Sequence, residues 1–247
     1  MTMKRCWHSV LVALLIVGFF TTHRESSAEE PITLRVVSYN IDHGEGVDRK
    51  LDLERIAKVV LSVKPDLVAL QEVDRGTKRT SRVDQAAAFA RLTKMQFVFG
   101  SNIDFQGGQY GNAVLSRWPI AAHKNVHLPS FDDGEQRGVL LCEVKPPALG
   151  STVLLLATHL DHRSENRERL ASAARINALI AERDDMPAIL AGDLNDTPRS
   201  DVLKKFRQQW QFCHDREMPT VPVGEPRRQI DYILFRPANR WKTIEYR

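Results

Sequence analysis

Five short stretches set polar side chains at the end of, or within, an apolar run: Ser38-Tyr39-Asn40-Ile41-Asp42, Gln71-Glu72-Val73-Asp74, Thr158-His159-Leu160-Asp161, Gly192-Asp193-Leu194-Asn195 and Ile230-Asp231-Tyr232-Ile233. Runs such as Leu67 to Leu70 and Ala188 to Ala191 read as buried strands, and a carboxylate or amide at the end of such a strand has no packing role. Together the acids, amides and imidazole are the donor set of one metal-and-phosphate pocket. Hydrolysing a phosphate ester at neutral pH requires neutralised phosphoryl oxygens, an activated water and a stabilised leaving oxygen. Mg²⁺ takes hard oxygen ligands and keeps several waters, so Glu72, Asn40 and Asp42 suit part of its shell, with Mn²⁺ as the alternative ion. Asp193 is placed to orient or deprotonate the attacking water, and Asn195, two residues along and on the same strand face, to hold the phosphate or a water beside the metal. His159 suits a hydrogen-bond donor to the crowded phosphoryl oxygens. Taken singly, each residue is commonly structural; five such strand ends are not a common coincidence.

The elements that must carry these residues alternate without a long linker. Thr33 to Tyr39 reads as a strand. Leu53, Ile56, Val59, Val60 and Val63 then recur at helical spacing behind Asp52, a good cap. A second helix spans roughly 84–93, and several short strands fill 96–144, with Gly107-Gly108 and Trp118-Pro119 as turn markers. Residues 164–183 form the longest helix candidate, with Leu170, Ala173, Ala174, Ile176, Leu179 and Ile180 as its apolar stripe. Thr197-Pro198 opens a short helix with proline at its first position. Strands lie at 152–159, 188–192 and 230–235, and a weaker one at 241–246. Strand clusters before and after helices point to two packed sheets with helices outside, within one domain. Loops at 75–82, 105–109, 130–135 and 219–227 are expected to line the mouth of the site.

A chain of 247 residues with 43% hydrophobic and 27% charged residues belongs to the ordinary globular range, not to a disordered one. Its first 28 residues stand apart. Lys4 and Arg5 precede an uncharged run from Val10 to Phe20, and small residues Ser26 and Ala28 follow, the layout of a signal peptide with Glu29 as the new N-terminus. The apolar run is shorter than the ~20 residues of a membrane span, so a secreted or periplasmic monomer with no stable span after cleavage is expected. Cleavage lowers the formal net charge of +4 by two. A nearly neutral chain neither demands nor excludes a polynucleotide partner, and the basic run Arg75, Lys78, Arg79, Arg82 reads first as a solvated loop. Cys142 and Cys213 remain, with nothing in the sequence to pair them, and two isolated thiols make no zinc site.

In order and spacing, Ser38 to Asp42, Pro65 to Asp74, Tyr110 to Pro119, Glu135 to Gly138, Thr158 to Leu160, Gly192 to Asn195 and Arg228 to Leu234 resemble the endonuclease/exonuclease/phosphatase family over residues 33–247. The resemblance implies a four-layered α/β sandwich of two packed mixed β-sheets flanked by helices, and a divalent-metal phosphoesterase. It puts Asn40 and Glu72 on the metal site and His159 on the phosphate. Asp193 and Asn195 become the water-activating pair, and Asp231 the aspartate that orients a second histidine. Arg137 becomes a candidate phosphate contact, grouped with Asn112 as substrate-binding, Asn112 forming the floor. The substrates implied are phosphate esters, diesters ahead of monoesters: nucleic acid, phospholipid or a small phosphodiester. The family pattern also includes a Ser-Asp-His segment and a last strand that this sequence does not contain, which implies a C-terminally incomplete domain with its final strand missing, in preference to a natural binding module with impaired turnover. None of His43, His123, His127, His162 and His214 has the context to replace that second histidine, His214 beside Asp215 being the least unsuited.

Overall fold

The structure, a computed structural model, describes residues 11–17, 32–183 and 186–247, with the side chains of 11–17 left aside. The signal-peptide reading of residues 1–28 otherwise lies outside the described residues. Two parallel pairs form the frame. In the first, β2 (Ile32–Asn40) pairs with β3 (Leu67–Arg75) across helix α1 (Leu53–Ser62), and the register sets Asn40 beside Gln71. In the second, β8 (Val153–His159) pairs with β9 (Ala188–Asp193) across helix α3 (Arg167–Ala181), and the register sets His159 beside Asp193. A parallel pair needs a crossover, and both α1 and α3 supply it.

Antiparallel strands extend both pairs. The first sheet runs β12 (Trp241–Tyr246), β1 (Leu11–Val17), β2, β3, β5 (Gly108–Ser116), β4 (Gln96–Phe105). The second runs β10 (Gln211–Phe212), β11 (Asp231–Arg236), β9, β8, β7 (Gly138–Val144), β6 (Ile120–His127). The backbone of β1, drawn from the segment that reads as a leader, lies antiparallel between β2 and β12.

Strands buried on both faces read as unbroken apolar runs, and the side chains sort by parity. Leu34, Val36, Leu67, Ala69 and Val114 face Leu140, Leu155, Ala157, Ile189 and Ile233 in a core between the sheets. Val37, Tyr39, Val68 and Leu70 point outward to Ile56 and Val60 of α1 and to Phe89 of α2 (Gln85–Thr93). On the far side, Leu154, Leu156 and Leu190 meet Ala173, Ile176 and Ile180 of α3, and Val202, Leu203 and Phe206 of α4 (Asp201–Arg207). The result is the four-layered α/β sandwich the sequence led us to expect. Among the described residues no helix is long and apolar enough to cross a membrane.

Asp52 caps α1 as the sequence placed it, and Asp84, read as the start of the second helix, is the cap of α2. Asp52 accepts from the Arg55 N–H at 2.9 Å and Asp84 from the Ala87 N–H at 2.9 Å. The short helix expected at Pro198 instead begins at Asp201, capped by the Ser200 hydroxyl at 3.2 Å, because Thr197 to Ser200 closes as a turn first. Cys142 and Cys213 are buried free thiols of the central core.

Candidate active site

Both parallel pairs deliver their polar residues at strand C-termini, the end of an α/β unit where ligands bind. Asn40 ends β2, His159 ends β8 and Asp193 ends β9, while Asp231 opens β11 in direct register with Asp193. One bond joins the two sheets here: the Asn40 amide donates to Glu72 Oε1 at 2.8 Å and to Asp193 Oδ2 at 3.4 Å. The Asn40–Asp193 bond thus joins residues 153 positions apart in the chain.

Glu72 reaches this point through a backbone device. It sits at φ +59°, and the β3–β5 register shifts between Leu70 and Val73, so residues 71 and 72 form a bulge. A bulge turns a side chain out of the strand's alternation, here away from a buried face and toward Asn40. Asp42 and His43 also lie in the left-handed region, at φ +44° and +43°. Strain of this kind persists only where surroundings hold it. Gln85, buried at the start of α2, donates to the His43 carbonyl at 2.6 Å and accepts from the Asp74 N–H at 2.9 Å, bracing both segments.

Asp42, His43 and Glu72 each offer a ligand atom within 4.8 Å of one another. The donor set fits a divalent cation: two carboxylates and an imidazole, with the Asp193 carboxylate nearby. Burial and the charge of Asp42 hold Glu72 above its ordinary value, a cost that a bound cation relieves. His43, which the sequence reading set aside, belongs to this cluster; its Nδ1 lies 3.1 Å from Asp42 Oδ1, which holds its pKa up. Asn40 stands beside the cluster, its Oδ1 accepting the Asp42 N–H at 3.0 Å.

Across Asp193 lies a different chemistry. Arg137, almost wholly buried, donates to His159 Nδ1 and His162 Nδ1, each at 3.1 Å, and pairs with Glu135 at 2.9 Å. A guanidinium cannot accept, so both Nδ1 atoms must, and each neutral ring carries its proton on Nε2. Burial and the neighbouring Arg137 push His159 well below the ordinary histidine range, keeping it neutral. His159 Nε2 sits 3.7 Å from Asp193 Oδ2, too long for a hydrogen bond and open to another acceptor. His162 was likewise set aside by the sequence reading, since its partner Arg137 is 25 positions away.

Asp193 lies between the two halves. Burial, then Asp231, then Glu72 raise it well above the carboxylate range, and burial raises Asp231 to about 6. Asn195 departs from expectation. The strand stops at Asp193, and Asn195, at φ +50°, returns its N–H to Asp193 Oδ1 at 2.9 Å and its amide to the Leu160 carbonyl at 2.9 Å. A turn, not strand alternation, brings it beside Asp193. Asn112, expected to form the floor of the site, is buried on β5 and donates to the Gly138 carbonyl of the other sheet at 3.1 Å. Asp231 bonds Thr220, and His214 stacks on Tyr246 at 3.8 Å, so His214 is not its partner.

Two cavities open on either side, sharing Glu72 and Asp193. One, of about 380 Å³, is lined by Arg79, Ile103, Phe105, Tyr110, Glu135 and Arg137, with His159, His162 and Asn195. The other, of about 250 Å³, holds Asn40, Asp42, Val47, Thr220, Val223 and Asp231. All four loops expected at the mouth contribute, through Arg79, Phe105, Glu135 and Thr220. The basic run is not free: Arg79 pairs with Asp74, Arg75 bonds Gln109 and Arg82 bonds the carbonyls of Gly76 and Gly107.

Residues 37–243 match the model of the endonuclease/exonuclease/phosphatase family. This chain belongs to that family. Its members are hydrolases acting on phosphoester bonds and generally depend on divalent metal. The Escherichia coli protein YbhP is 29% identical over 225 residues, spanning 85% of this chain and 87% of its own length. A 5′-tyrosyl-DNA phosphodiesterase from Caenorhabditis elegans is 28% identical over 185 residues, which is 71% of this chain but 47% of that protein. Among solved structures, a family member from Beutenbergia cavernae superposes with a TM-score of 0.67 at 25% identity, covering 83% of this chain and 64% of the other.

Proposed function

We propose that this protein is an exported, Mg²⁺- or Mn²⁺-dependent hydrolase of phosphodiesters. The observation that carries the reading is the Asn40 amide shared between Glu72 and Asp193, which joins a cation-binding cluster to a cluster of neutral hydrogen-bond donors across one carboxylate. Asn40, Asp42, Glu72 and His43 would hold the cation, which supplies charge neutralisation at the phosphoryl group when bound.

This chain's own residues supply the phosphoryl donors and the base, and the departing ester oxygen takes its proton from solvent. His159 and His162 present Nε2–H donors to non-bridging oxygens, held in that tautomer by Arg137. Asp193 accepts the proton of the attacking water, and its raised pKa brings it toward the working pH of a general base. The Asn195 N–H fixes Asp193 Oδ1, while Oδ2 accepts the longer 3.4 Å bond from Asn40 and lies 3.7 Å from His159 Nε2. The diester preference rests on the two cavities, which give each substituent of the phosphorus its own side of Glu72 and Asp193. A relative named for cleaving a phosphodiester supports it.

The test is hydrolysis of bis-nitrophenyl phosphate against nitrophenyl phosphate with Mg²⁺, Mn²⁺ or chelator. Chelator-sensitive turnover that favours the diester and disappears in Asp193→Asn is expected; turnover indifferent to chelator refutes the proposal. A second reading, binding without turnover, is favoured by one observation: among the described residues Asp231 bonds Thr220 and not an imidazole. Calorimetric binding of a phosphodiester analogue with no hydrolysis would decide for it. Export rests on the first 28 residues alone. Cleavage after Ala28 would also remove β1 and leave β2 and β12 with free edges. Mass spectrometry of protein recovered from expressing cells checks this, a mature chain beginning at Glu29 being the expected result.

A further inference from the structure

Phosphoryl transfer needs cations and hydrogen-bond donors, yet one wall of the larger cavity is apolar. Ile103 and Phe105 of β4 and Tyr110 of β5 form it, within reach of Glu72, His159 and Asp193. The Phe105 and Tyr110 rings lie 6.4 Å apart at an interplanar angle of 57°. The Arg79 guanidinium covers both, 4.7 Å from the Phe105 centroid and 5.3 Å from that of Tyr110. We propose that this wall is the subsite for a planar aromatic substituent of the phosphate ester, a specificity element that rests on the phosphodiesterase reading and deepens it.

Three observations carry the assignment. First, Arg79 is not a free phosphate-gripping cation. Its Nε and Nη2 hold both oxygens of Asp74 at 2.8 and 2.9 Å, and that carboxylate is fully buried and further bonded by the Thr77 hydroxyl at 2.6 Å. A guanidinium fixed this way is a flat slab with a π-face, the surface on which aromatic groups stack. Second, the wall is rigid before any ligand arrives. The β4–β5 hairpin closes through Gln106 and Gly107, both at positive φ as a two-residue hairpin turn requires. Gln106 Oε1 accepts the Arg79 N–H at 2.7 Å, and Arg82 donates to the Gly107 carbonyl at 2.8 Å. A preformed wall avoids the ordering cost that a flexible one imposes. Third, a cavity of about 380 Å³ lies near the lower end of ligand pockets and has room for one ring-bearing group.

The test compares ligands that differ only by a ring. Calorimetry in the presence of Mg²⁺ measures phenylphosphonate against methylphosphonate, and thymidine 5′-phosphate against deoxyribose 5-phosphate, on the wild type, Phe105→Leu and Val223→Ala. The first pair reads a ring attached at phosphorus and the second a ring one sugar away, so the pair that responds identifies the source. A ring worth on the order of tenfold in affinity is expected in at least one pair, from typical aromatic stacking. That gain should disappear in Phe105→Leu, which keeps apolar bulk, and survive in Val223→Ala, which changes only the opposite cavity. Equal affinities within both pairs, or a gain that survives Phe105→Leu, overturns the subsite while leaving the phosphodiesterase reading standing. If no ligand binds and bis-nitrophenyl phosphate is not hydrolysed, both readings fall together.

Discussion

Replacing Asp231 by asparagine should stabilise this protein at neutral pH while impairing its chemistry. Asp231 and Asp193 face one another across an antiparallel pair, both shielded from water; burial penalises each ionised form, and the charge of Asp231 adds to the penalty on Asp193. Burial raises Asp231 from 3.8 to about 6. Below pH 3.8 the carboxyl is protonated in both folded and unfolded chains and contributes no difference. Between 3.8 and about 6 the unfolded chain ionises first, so stability falls as pH rises, and above 6 the folded state bears the full penalty. The interval corresponds to about 3 kcal/mol at most. Asparagine keeps an acceptor for the Thr220 hydroxyl and turns an N–H₂ toward Asp193, replacing repulsion with a hydrogen bond. In chelator at pH 8 the variant should therefore gain up to about 3 kcal/mol, roughly 6–12 °C in melting temperature for a chain of this size. At pH 3.5 the two proteins should melt together. Thermal and urea unfolding from pH 3.5 to 8 provides the assay, with diester hydrolysis followed in parallel and expected to fall on the order of 10². A variant less stable than wild type at pH 8, or one stabilised equally at both pH values, would refute the reasoning.

Arg137→Lys retains the charge but loses the fork that fixes two imidazoles, so kcat should fall on the order of 10² with a smaller change in KM; a wild-type kcat would show that Arg137 does not hold the tautomers. Glu72→Gln should weaken Mn²⁺ binding at least about tenfold by calorimetry and, by removing a buried charge whose pKa is raised, increase stability in chelator at pH 8, whereas unchanged Mn²⁺ affinity would remove Glu72 from the cation site. Gly192→Ala places a Cβ 2.1 Å from the Thr158 carbonyl on the neighbouring strand, next to Asp193, and should cost about 1–3 kcal/mol in urea unfolding together with most of the activity; a fully stable, active variant would mean that β8 and β9 yield at no cost.

The strand-end residues were legible because a buried strand leaves few explanations for a terminal acid. Asn40, His159 and Asp193 each end a strand, Glu72 lies in a bulge within one, and Asp52 and Asp84 cap the helices that the apolar spacing announced. The misreadings share one cause. Asn195 was read through strand alternation, but its positive φ follows a turn that strand logic cannot anticipate. Asn112 was placed at the floor of the site by the family resemblance, and only the structure shows its amide directed to the Gly138 carbonyl of the other sheet. His162 was passed over because its partner Arg137 lies 25 positions away, and His43, although it adjoins Asp42, because its place beside Glu72 depends on the fold.

By itself, the order of residues determined which side chains end buried strands and which stripes pack helices outside the sheets, since both follow from local periodicity and the aversion of apolar groups to water. Only the tertiary structure decided which donors share an atom. The Glu72 bulge, the Arg137 fork over two histidines and the Arg79 slab on the β4–β5 hairpin each depend on a partner supplied by a distant segment or on a backbone angle that surroundings must hold. Register and bulges are set by how two sheets fit together, and no window along the chain contains that information.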